Sequence, residues 1–197
     1  MSTQLSNGQS KSNSKANFGA SFPKLNEKAI RAAQDEKADM GLSQKFPLHR
    51  KKIISLLNLA LANELVNMLR YRHQHSLSVA MEEAELSRDF LKYANQELSH
   101  ADKIAKRIFE LNGTADFSPR TLTKQKQNKF KTPKNIISML KANLANGRAM
   151  IETYRQMIAR VSNYDATTRE LLEVILSVEE KNVTEQNRYL IKQAQAV

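Results

Sequence analysis

Phe90-Leu91-Lys92-Tyr93-Ala94-Asn95-Gln96-Glu97-Leu98-Ser99-His100-Ala101-Asp102-Lys103-Ile104 decides the fold of this chain. Phe90, Ala94, Ala101 and Ile104 keep the three-and-four spacing of a helix with one apolar face, and Glu97 falls on that same face. His100 follows three residues later, so the two side chains project from one side of the helix, one turn apart. Burying an ionised carboxylate without a partner is very costly, so Glu97 needs a cation or a proton. Glu-x-x-His offers an oxygen and an imidazole nitrogen to one metal ion. Alone, such a short pattern recurs by chance.

Three further segments carry the same spacing. One runs through Ile54, Leu57, Leu61, Glu64, Met68, Tyr71 and His75; another through Ile137, Leu140, Leu144, Gly147, Ile151, Tyr154 and Ile158. A last one runs through Leu172, Ile175, Glu179, Asn182, Gln186 and Leu190. Boundaries are written between them. Asn112-Gly113 stops the second segment, and Thr132-Pro133 predicts the start of the third, with Thr as cap and Pro in the first position. Asn163 to Asp165 separates the third from the fourth, with Asp165 or Thr167 as cap, and the first break falls between Ser76 and Ser87.

Segments of roughly 25–29 residues make helices about 40 Å long at 1.5 Å per residue. Short links make the first and second, and the third and fourth, antiparallel neighbours. Residues 113–132 can span about 65 Å when extended, enough to run the length of a bundle. The expected fold is all-α: a four-helix bundle with one long crossover between helices two and three.

Glu64, Glu97 and Glu179 thus sit inside apolar stripes on three different helices. A single acid of this kind is ordinarily explained by the edge of the core or by a nearby Arg or Lys. Three at matching mid-helix height, with His100 beside one of them, point to a shared cation.

Composition narrows the choices. The 197 residues contain no Cys, which excludes disulfides, iron–sulfur clusters and Cys-ligated zinc. Five Gly, four Pro, no Trp and 6% aromatics argue against an all-β protein. No apolar run approaches the ~18 residues of a membrane span. The polar N-terminus lacks a secretory h-region, so no membrane partner and a cytoplasmic location are the default expectations. The net charge is +11. Residues 1–24 read as a disordered basic arm, 25–48 as a short helix (ending near Met40-Gly41, with Gly41 as cap) and linker, and 49–194 as the bundle. Arg120, Lys124, Lys126, Lys129, Lys131 and Lys134 form a second basic cluster free of acids. Arm and cluster can contact nucleic-acid phosphates, or serve only as solubilising segments.

At Glu64, Glu97-Leu98-Ser99-His100-Ala101-Asp102 and Glu179-Glu180-Lys181-Asn182 the chain resembles bacterioferritin and Dps-like members of the ferritin-like superfamily. Ala62-Asn63-Glu64-Leu65, Leu69-Arg70-Tyr71-Arg72, Ala115-Asp116-Phe117-Ser118-Pro119 and Thr168-Arg169-Glu170-Leu171-Leu172-Glu173 extend the resemblance over roughly residues 25–190. It implies a di-iron centre. Glu64 and His100 match terminal ligands of one iron, Glu97 and Glu179 match the bridges, and Tyr71 matches a tyrosine beside the centre.

Two positions depart from that pattern. Gly147 stands where the family carries a Glu on the third helix, and Asn182 where it carries a His on the fourth. Both missing groups serve the second metal. Glu152, His73 and His75 are not placed to replace them, and His49 lies before the first helix. Gly147 reads as a lost ligand or as a small residue that permits close packing. The resemblance therefore implies an iron-binding protein of storage or oxidative-stress protection, holding one ion per chain rather than two, with weak or absent ferroxidase activity. Leu98 replaces the methionine of haem-binding members, so no haem is expected. About seven residues follow the fourth stripe, which leans toward a Dps-like or simpler homo-oligomer. The alternatives are a non-enzymatic DNA-associated protein, a structural subunit joining a complete ferritin-like paralogue, and an oxidoreductase working with one metal.

Overall fold

A computed structural model describes residues 46–124 and 135–195. The arm, the helix with Gly41 and the basic residues Lys126 to Lys134 lie outside them. Helix α1 spans Phe46–Ala80. Pro47 occupies its first turn, where a missing N–H costs nothing. The helix closes on Glu82, whose φ of 60° is left-handed; Glu83 N–H donates to Ser78 C=O at 2.9 Å and Glu82 N–H to Val79 C=O at 3.1 Å. This paired closure satisfies two orphan carbonyls at the helix end.

Helix α2 spans Ala84–Glu110 and closes the same way. Asn112 takes the left-handed conformation with φ of 54°, and Gly113 N–H donates to Ile108 C=O at 2.9 Å. Asn112, not Gly113, therefore supplies the reversal. Gly113 serves proximity instead: a Cβ there would lie 2.9 Å from Ile54 Cγ2. In the crossover, Asn58 of α1 donates to Thr114 C=O at 3.0 Å and accepts from Asp116 N–H at 2.8 Å. A short helix α3, Pro119–Lys124, follows.

Helix α4 spans Ile136–Val161 and is capped by Asn135, whose side chain accepts from Ser138 N–H at 2.8 Å while Ser138 Oγ accepts from Asn135 N–H at 3.2 Å. The reciprocal box starts the helix at Ile136 rather than at the Thr132-Pro133 signal. Thr132 and Pro133 themselves lie outside the described residues. Helix α5 spans Ala166–Gln195. Asp165 caps it, accepting from Thr168 N–H at 2.9 Å. Arg107 of α2 donates to both Asp165 oxygens at 2.9 Å and to Thr168 Oγ1 at 2.9 Å.

The long helices pack as two pairs, α1 with α2 and α4 with α5, with α2 against α5 and α1 against α4. This is the expected all-α bundle, with no strand among the described residues. At one end the core is apolar, built on Ile53, Leu57, Leu61, Ile104, Ile108, Met157, Val161, Leu172 and Ile175. Two expectations need correction. His49 lies inside α1, its ring stacked on Tyr164 at 3.9 Å. And α1 is apolar and long enough over His49–Ala80 to meet the length and hydropathy of a membrane span, since Asn, Gln and His interrupt it more than charges do. Yet 56% of its most apolar window is buried inside the bundle, as a core helix requires.

Candidate metal centre

Four buried side chains meet in the middle of the bundle: Glu64 from α1, Glu97 and His100 from α2, and Glu179 from α5. One ligand atom from each lies within 4.8 Å of the others. His100 Nδ1 is 3.1 Å from Glu64 Oε2 and 3.6 Å from Glu179 Oε1. The helical offsets of three and four, and the packing of α1 and α5 against α2, bring them to one level.

The acids are short of donors. Neither oxygen of Glu97 meets a donor group, nor does Oε1 of Glu179. Burial is the first cause that pushes the Glu97 carboxyl well above the ordinary range, followed by the charges of Glu179 and Glu64, and Arg70 opposes it. Glu179 is likewise pushed well up by burial and then by Glu64. Such a cluster is stable only with protons or a cation among its oxygens.

The expected neighbours are placed as follows. The Tyr71 hydroxyl accepts from Gln186 Nε2 at 3.1 Å, and its ring packs beside Tyr93 and Phe90 at 5.4 and 6.1 Å. Its ionisation is pushed far up by burial first and by Glu97 and Glu179 next. Asn182 is buried one turn beyond Glu179, and its Nδ2 has no acceptor among the described residues. Gly147 is buried on α4, and a Cβ built there would collide with the Val183 side chain of α5. Of the two readings of Gly147, close packing is the one this contact carries. Glu152 is exposed. His75 Nδ1 is engaged with Ser87 C=O at 2.9 Å and Ser87 Oγ at 3.2 Å.

One residue was missed. Tyr154, fully buried on α4, donates a short hydrogen bond from its hydroxyl to Glu64 Oε1. In the sequence it is one apolar member of a stripe. Its place two turns after Gly147 was the available signal.

A bundle of this connectivity, with a buried Glu, Glu-x-x-His and Glu at its middle, is a ferritin-like domain: the ferritin-like domain model matches residues 54–194, and the chain belongs to that family. It is 30% identical over 136 residues to a bacterioferritin from Desulfovibrio desulfuricans (strain ATCC 27774 / DSM 6949 / MB), a stretch covering 68% of this chain and 72% of that protein.

Proposed function

We propose that the chain is an iron-binding protein of iron storage or oxidative-stress protection whose centre holds one cation, on Glu64, Glu97, His100 and Glu179. The observation that supports this is the set of buried carboxylate oxygens without donors, converging within 4.8 Å on one imidazole edge. Oxygen and imidazole donors suit a borderline first-row cation. Three carboxylates and one neutral imidazole balance one divalent or trivalent ion, with a retained proton in the divalent case.

Each residue has a separate task. Glu97 offers two uncommitted oxygens. Tyr154 holds Glu64 Oε1, so Oε2 is left facing His100. Glu179 closes the set from α5. Protons that Glu97 and Glu179 carry without metal leave when a cation enters, so affinity rises with pH. Bound iron supplies one-electron exchange between its ferrous and ferric states. The residues that would complete a pair are Gly147 and Asn182 here, so oxidation of ferrous iron by a metal pair is weak or absent. The resemblance to bacterioferritin also implies a homo-oligomer, and exposed Leu69, Leu98, Phe109, Val174 and Ile191 supply apolar surface for it.

Metal analysis after equilibrium dialysis against Fe(II) or Co(II) tests the centre: about one tight ion per chain, lost in Glu97→Ala. Two tight ions with rapid ferrous oxidation overturn the one-cation reading, and no tight ion overturns the centre itself. Sedimentation at micromolar concentration tests assembly, which a monomer refutes.

A further inference from the structure

Helices α4 and α5 meet at Gly147 and Val183. The Cβ that any other residue would carry at 147 falls on Val183 Cγ2, closer than side chains approach one another. Val183 cannot step aside cheaply, because a β-branched side chain in a helix has one strongly preferred rotamer. Next to it in sequence, Asn182 is buried and its Nδ2 lacks an acceptor. An amide N–H repels a cation and suits an oxygen acceptor such as water. Glu179 Oε1 and Gln186 Oε1, three residues before and four after on the same helix face, are unpartnered acceptors.

We propose that Val183 determines how many cations the centre takes: its contact with Gly147 bars any acidic side chain from α4, while Asn182, one turn beyond Glu179, brings an unpartnered amide donor. The proposal rests on the one-cation reading and deepens it. Restoring the ligand types is then insufficient, because the backbone at 147 has no room to present one.

The test compares Gly147→Glu/Asn182→His with the same pair plus Val183→Ala, using Co(II) as probe. Equilibrium dialysis and cobalt d–d absorption count the ions, and thermal melting of the metal-free proteins reads the packing. The double variant is expected to hold one ion per chain and to melt below wild type; the triple variant is expected to hold two. A double variant that holds two overturns the proposal, as does a triple variant that still holds one. Wild type holding none refutes the centre instead, so the two failures are distinct.

If the double variant fails to fold, Gly147→Ala decides. Ala is the better helix former, so an unobstructed site would be stabilised. Here Gly147→Ala is expected to lower the melting temperature, and adding Val183→Ala to recover part of that loss. A rise in melting temperature with Gly147→Ala alone overturns the role of Val183.

Discussion

The two ends of the bundle core are built from different chemistry. Near the crossover end, Leu57, Leu61, Ile104, Ile108, Leu172 and Ile175 interdigitate with no polar side chain among them. Toward the α1–α2 turn, amides share the core with a smaller apolar cluster around Leu86, Phe90 and Met139. Gln74 and Asn143 exchange two hydrogen bonds of 2.8 Å, Asn146 donates to Asn67 at 3.0 Å, and Gln186 donates to Tyr71 at 3.1 Å. The acids lie where the two meet. Apolar packing supplies bulk stability without direction, and it also strips water from the carboxyls. The amides contribute little net energy but match one helix register only, because a slipped partner leaves a buried donor or acceptor unpaired.

Truncation in the apolar end breaks this comparison hardest. Leu57→Ala removes a fully buried side chain and lowers the unfolding free energy by about 2–5 kcal/mol, read by urea denaturation of the metal-free protein. At the amide end, Gln74→Ala strands Asn143 and costs about 1–3 kcal/mol. There the sharper result is the pair Gln74→Leu/Asn143→Leu, which costs less than the single change. If the double loses more than the single, the amides are acting as bulk and the contrast fails.

A smaller effect has a sign set by protons. The Glu97 carboxyl is raised well above 4.5 by burial and then by Glu179 and Glu64. A raised acid keeps its proton in the folded chain at a pH where the unfolded chain has lost it. Its stabilising contribution is complete below about pH 4.5 and is lost as pH climbs through the folded-state value. The stability of metal-free Glu97→Gln relative to wild type therefore grows as pH rises from about 4.5 toward neutrality. Denaturation at several pH values checks it, and a flat or falling difference rejects it. Least of all, Arg155→Ala breaks the exposed 2.7 Å pair with Glu180 and shifts stability by under about 1 kcal/mol, a control on the same denaturation curves.

Much of this was legible in the chain. Apolar spacing fixed four helices, and acids at Glu64, Glu97 and Glu179 were visible because they violate the stripes that contain them. The crossover was legible from the length between Asn112 and the third stripe. What escaped depends on distant partners. Tyr154 looks like one more apolar residue until its hydroxyl meets Glu64, 90 residues earlier. The purpose of Gly147 depends on Val183 of another helix, and the Gln74–Asn143 bridge joins residues 69 apart. Local signals also compete: Thr132-Pro133 is the more familiar start, yet Asn135 holds the box that caps α4.

The clamp from Arg107 to Asp165 and Thr168 carries a consequence for the centre that its position conceals. It pins the first turn of α5 to the last turns of α2, and Glu179 lies fourteen residues farther along α5, about 21 Å away at 1.5 Å per residue. Rigid rods transmit an axial offset undiminished, so a slip of one turn at Arg107 would carry Glu179 about 5.4 Å away from Glu97. An arginine that touches no ligand atom thereby acts as the vernier of the centre, setting how closely the carboxyls of two hairpins line up.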